Sequence, residues 1–131
     1  MSRALNDLHP TFRPAAFELL ARVAEGGIPC MIITTSRTQA EQAACVARGV
    51  SWTLNSKHLV GLAIDICPFD IYNLHGPDTL EWDGDDPVWE KLGAIATKHL
   101  PILKWGVVFR NGRRGDLGHF EWPTWEHTKE T

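Results

Sequence analysis

No apolar run in this sequence approaches the roughly 20 residues of a membrane-spanning helix, so membrane insertion is not expected. The amino terminus, Met1-Ser2-Arg3-Ala4-Leu5-Asn6-Asp7, lacks the apolar core of a secretory signal, which argues against export by the general secretion route. Excess positive charge is also missing. With 13 Lys and Arg against 16 Asp and Glu, the formal charge is −3 and the pI near 6.0, leaving no basic footprint for nucleic acid. Cysteine is scarce and odd in number. Cys30, Cys45 and Cys67 are too few and too far apart for a disulfide framework or a four-cysteine zinc site, and buried free thiols are expected. Cys67 lies two residues past Asp65 and would share its strand face, which leaves it open as an additional ligand. Internal repeats, low-complexity stretches and linkers are absent. What remains is 131 residues at 44% apolar composition, which suits a single domain spanning 1–131 around one core.

The chain reads as alternating helices and strands. Pro14 and Gly26-Gly27 bracket a helix to about Glu25, with Phe17, Leu20, Val23 and Ala24 as its core stripe. Cys30 to Thr34 is a short apolar run after a proline, hence a central strand. Ser36 is placed to cap a helix from Thr38 to Arg48, which Gly49 closes. Val50 to Asn55 reads as loop, and Ser56 to Pro68 as a turn and a strand. The irregular acidic stretch Asp70–Asp86 ends in Asp86-Pro87, a cap and first-turn proline for a helix to about His99, with Val88, Leu92 and Ile95 facing inward. The acidic Asp83–Asp86 loop lacks EF-hand spacing, so a second cation there is a minor alternative to a surface loop. Ile102 to Trp105 is a strand, Asn111-Gly112 a turn, and Gly118 to Trp122 the last strand before a polar tail, Thr124–Thr131.

Chemistry concentrates in two stretches. In Ser56-Lys57-His58-Leu59-Val60-Gly61-Leu62-Ala63-Ile64-Asp65 a carboxylate sits on an apolar strand. An unpaired buried carboxylate is costly, so Asp65 needs a salt bridge, a hydrogen-bond network or a metal. In Asp116-Leu117-Gly118-His119-Phe120-Glu121, period two puts His119 and Glu121 on one face and Phe120 towards the core. Two histidines and one carboxylate make a three-ligand zinc set with a position left for water. Asp116, in the turn before the strand, is placed to approach such a metal from the side, where a carboxylate could take a proton from water and hand it to a leaving amine. Glu121 shares a face with His119, so it stands as an alternative base. Arg37, at a strand-to-helix junction, lies where an α/β framework presents functional groups.

The first stretch closely resembles the Ser-x-His-x-x-Gly-x-Ala-x-Asp signature of the zinc D-Ala-D-Ala carboxypeptidase and L-alanyl-D-glutamate peptidase family. Trp105-Gly106 followed by Asp116 to Glu121 resembles that family's closing motif, and Ser36-Arg37-Thr38-Gln39-Ala40-Glu41-Gln42 its arginine segment. The matches fall in the family's order. Val107-Val108-Phe109 stands where relatives often have a second glycine and an aromatic. The insert Asn111 to Gly115, basic with Arg110, Arg113 and Arg114, is a departure too, read as a solvated hairpin tip or as a contact for anionic muropeptide carboxylates.

The resemblance implies an α+β fold: a small, mainly antiparallel sheet with helices on one side, as in Hedgehog and DD-peptidase domains. It implies zinc held by His58, Asp65 and His119, Asp116 as general base, and Arg37 as the cation that steadies the oxyanion. Ser56 would bind substrate or brace the site. The implied function is a zinc endopeptidase that cuts the L-Ala–D-Glu bond of the peptidoglycan stem. As in single-domain phage endolysins, it would be a monomer held in the host cytoplasm until lysis and then act in the periplasm. The rivals are a D-Ala-D-Ala carboxypeptidase or dipeptidase with the same chemistry, a non-catalytic zinc module and a virion component.

Overall fold

A computed structural model describes residues 1–49, 54, 56–70, 79–81, 84–106 and 117–123. Pro14 opens helix α1, Arg13–Glu25, and Gly26 follows its last turn. The buried stripe is Ala16, Leu19 and Val23, while Phe17 is 51% exposed. Of the expected stripe, Val23 is buried and Leu20 partly so, whereas Phe17 and Ala24 are exposed and Ala16 and Leu19 take their place. Both sets repeat at helical spacing, and only the neighbours in space decide between them.

Strand β1, Cys30–Thr34, leads to helix α2, Gln39–Ala47. Thr38, not Ser36, caps that helix. Its hydroxyl accepts from Glu41 N at 3.1 Å while the Glu41 carboxylate accepts from Thr38 N at 2.8 Å, a reciprocal capping box. Strand β2, Ala63–Asp70, runs beyond Pro68, because Phe69 N–H still finds Pro29 O at 3.1 Å. A two-residue strand β3, Thr79–Leu80, pairs with the end of β2 inside the stretch expected to be wholly irregular. Helix α3, Val88–His99, begins where Asp86 Oδ1 accepts from Val88 N at 2.9 Å, as the Asp-Pro pair suggested. Its buried residues are Trp89, Leu92, Gly93 and Ala96, with Val88 and Ile95 at the core's margin. Strands β4, Lys104–Trp105, and β5, His119–Glu121, complete the set, and exposed Ile102 stays outside β4.

All described pairings are antiparallel, in the order β1-β2-β5-β4 with β3 beside β2. Strand β2 is central and nearly all buried, with Ala63, Ile64, Ile66 and Cys67 at 1% exposure or less. Ile64, Ile66 and Cys67 join Phe12, Leu19, Leu92 and Phe120 in one core. The strand registers set Asp65 opposite His119 on one side and opposite Thr34 on the other. The Asn111-Gly112 turn, the basic segment, Asp83 and the tail lie outside the described residues.

Candidate metal centre

The site begins at a short turn. Ser56 Oγ accepts from His58 N at 3.2 Å and caps a 3-10 turn, Lys57–Val60, whose end is set by Gly61 at φ +72°. A side chain at Gly61 would be strained by that angle, and its Cβ would lie 2.6 Å from His9 N. The turn thus presses against the amino-terminal segment and lowers His58 into the interior, where it is 1% exposed. From the other side, β5 is drawn onto β2. Gly118 O accepts from Ile66 N at 2.9 Å, and a Cβ on Gly118 would fall 1.9 Å from Ile66 O. Only glycine permits that approach, which brings His119 level with Asp65.

Asp65 is the hub. Its Oδ1 lies 2.8 Å from His119 Nδ1, its Oδ2 3.1 Å from His58 Nε2, and Arg37 Nη2 reaches Oδ2 at 3.4 Å. The His58 and His119 rings meet edge to face at 5.2 Å. One ligand atom from each of His58, Asp65 and His119 falls within 4.8 Å of the others. His58 Nδ1 is engaged with the carbonyl of Thr35 at 3.0 Å. A neutral histidine donating there has a bare Nε2. That buried Nε2, although near Asp65, makes no hydrogen bond of proper geometry. A buried ring nitrogen that faces a carboxylate without hydrogen-bonding it is an arrangement that a cation shared between the two would satisfy. The donor set, two imidazoles and one carboxylate, suits zinc.

Charge follows the same geometry. Burial pushes the Asp65 carboxyl up, but His58 and His119 outweigh it and hold the group well below the usual carboxylate range. Burial pushes His119 down, yet its hydrogen bonds to Asp65 and Glu121 raise it to about 9. Burial likewise opposes ionisation of Glu121, and contacts with His119 and Lys57 more than compensate, so its pKa is lowered. Arg37 is held from behind: its Nη1 donates to Oε1 of fully buried Gln42 at 3.0 Å.

The structure thus brings together His58, Asp65, His119 and Arg37. It ties Ser56 to the His58 backbone, and Asp116 lies outside the described residues. Cys67 stands apart from the cluster. Its thiol donates to the carbonyls of Glu81 and Pro68 at 3.3 and 3.5 Å. Reading the sequence missed Gln42, Thr35 and Lys57 as members of the site. A glutamine in an otherwise apolar helix face was the signal for Gln42; Thr35, acting through its backbone, had none.

The model of the D-alanyl-D-alanine carboxypeptidase family matches residues 49–122, more than half of the chain and both histidine segments. The chain belongs to this peptidase family. It is also similar to the L-alanyl-D-glutamate peptidase of Listeria phage A118, at 43% identity over 61 residues. That match covers 47% of this chain and 22% of the phage protein, so the chain spans about a fifth of that relative. The crystal structure of the Serratia marcescens L-Ala D-Glu endopeptidase ChiX superposes with a TM-score of 0.65, covering 90% of this chain and 82% of that one. At 23% identity, that likeness is one of fold, and it supports the α+β class.

Proposed function

We propose that this chain is a zinc endopeptidase domain that hydrolyses the L-Ala–D-Glu bond of the peptidoglycan stem. The observation that carries the reading is the convergence of His58, Asp65 and His119 beside Arg37. The activities named for the phage and Serratia relatives supply the bond. Zinc would be held by His58 Nε2, His119 and an Asp65 oxygen. When bound, it supplies Lewis-acid chemistry and acidifies a water.

The chain's own groups do the rest. Arg37, steadied by Gln42, points its guanidinium at the cluster, where negative charge develops on the carbonyl oxygen as water adds. Asp116 takes the water's proton and returns it to the departing amine, leaving a carboxylate and a free amino group. Ser56 braces His58 through its backbone, and a direct contact with substrate is the further role proposed for it. The monomeric state, and an endolysin's wait in the host cytoplasm before release to the periplasm, belong to the same proposal. Among the described residues, no helix is long and apolar enough to cross a membrane.

The family model's description favours one rival, removal of a terminal D-Ala. Mass spectrometry of purified peptidoglycan after digestion separates the two. New D-Glu amino termini are expected, with zinc near one per chain by elemental analysis. Release of free D-Ala alone would give the carboxypeptidase. No cleavage by zinc-loaded protein would leave a binding module.

A further inference from the structure

The outer nitrogens of the two histidines are held differently. His58 Nδ1 meets a main-chain carbonyl, Thr35 O, which no side-chain change can remove. His119 Nε2 meets a side chain, Glu121 Oε1, at 2.9 Å. The other oxygen of Glu121 lies 3.0 Å from Lys57 Nζ, and Lys57 also donates to Trp122 O. The Lys57 and Glu121 side chains are only 12% and 13% exposed. This is therefore a shielded ion pair, stacked directly behind the cluster. Lys57 stands next to His58 in the same capped turn, so one turn supplies both a cluster histidine and the anchor for the far side of the other.

We propose that Glu121, anchored by Lys57, is a positioning residue that holds His119 as the Nε2–H tautomer, so that the Nδ1 lone pair faces Asp65 and His58. The inference rests on the zinc reading of the site. A neutral imidazole carries one N–H, and which nitrogen holds it is set by the partners the two nitrogens have. His119 has a carboxylate at each nitrogen, Asp65 at Nδ1 and Glu121 at Nε2. Nδ1 is the nitrogen that faces the cluster, 2.8 Å from Asp65 Oδ1. When that nitrogen gives its lone pair to a cation, the remaining proton stays with Glu121. Lys57 makes this arrangement stable, because a shielded carboxylate without a cation would be costly and would drift from the ring. The same geometry removes Glu121 as the general base. Both its oxygens are engaged, and the His119 ring stands between it and Asp65.

The test reads the tautomer and the affinity, not turnover. Long-range ¹H–¹⁵N spectra of zinc-loaded, histidine-labelled wild type should show His119 protonated at Nε2 and ligating through Nδ1. Zinc affinity by competition with a fluorescent chelator should fall about 10–100-fold in Glu121→Ala, the usual cost of losing a carboxylate behind a ligating histidine. It should fall less in Glu121→Gln, which keeps an acceptor oxygen, and by an intermediate amount in Lys57→Met. A bare Nε2 on His119 in the loaded wild type overturns the proposal, as does wild-type affinity in Glu121→Ala. Should Glu121→Ala not fold, the spectra of wild type and Glu121→Gln decide. A wild type that takes up no zinc is a different result and overturns the zinc reading itself.

Discussion

Arg37 touches Asp65 at 3.4 Å and Gln42 at 3.0 Å, so its charge is fixed before any substrate arrives. A fixed donor of this kind acts mainly on the charge that develops during reaction. Arg37→Ala should lower kcat by about 10²–10³-fold and change KM little, measured by initial rates on a defined stem peptide. A KM effect alone would make Arg37 a substrate-binding group. Asp116→Ala should retain its zinc and lose about 10²–10⁴-fold in rate, since only the proton transfer goes. Elemental analysis beside the same rate assay checks this, and zinc loss would mark Asp116 as a ligand or its support. At this scale the sequence was informative wherever chemistry is carried by residue type. His58, Asp65, His119 and Arg37 could be singled out from motifs and do meet. Lys57 could not, because its contacts with Glu121 and Trp122 reach across the fold where local spacing encodes nothing, and the signal at Gln42, a lone polar residue on an apolar helix face, names no partner.

Elements were legible in proportion to their length and local signals. Strands β1, β2 and β5 and all three helices stood where apolar runs, prolines and glycines put them. Strand β3 escaped because two residues carry no periodicity and are defined only by pairing with Phe69 and Asp70. The cap of α2 was misassigned because Ser36 and Thr38 are both good caps, and Glu41 three residues after Thr38 was the deciding signal. The β2–β5 seam also invites a test. Gly118→Ala would set a methyl against Ile66 O, where backbone must move. A loss of more than about 2 kcal/mol in urea unfolding is expected, with weaker zinc binding as His119 shifts. On the other flank of β2, burial and the nearby Cys67 push the Cys30 thiol from 9.0 up to about 12. At pH 8 its reactive thiolate should be about 1,000-fold scarcer than in the unfolded chain. Iodoacetamide labelling followed by mass spectrometry should show Cys30 modified slowly until denaturant is added. Rapid labelling in the native state would contradict that burial.

For the molecule as a whole, the site and the core share a strand. Ile64 and Ile66 of β2 point into the apolar cluster, and Asp65 between them points into the polar one. Occupancy of the site should therefore be felt as global stability. Free zinc at about 1,000 times its Kd should add about 4 kcal/mol, and chelation should remove it as a fall in Tm. Calorimetry with and without chelator measures the difference, and His58→Ala should abolish it. An unchanged Tm in wild type would count against a zinc held by these residues.

The pairing of Asp65 with His119 joins points 54 residues apart in the chain. In a strand, a slip of one residue turns every side chain to the opposite face. At β5 such a slip would bring Phe120 to the polar side and send His119 and Glu121 into the oil. A misaligned sheet could then neither capture a cation nor fill its core. The Asp65–His119 pair that serves chemistry thus also acts as a proofreading mark for the alignment of the two strands, and the centre cannot assemble until that alignment has been won.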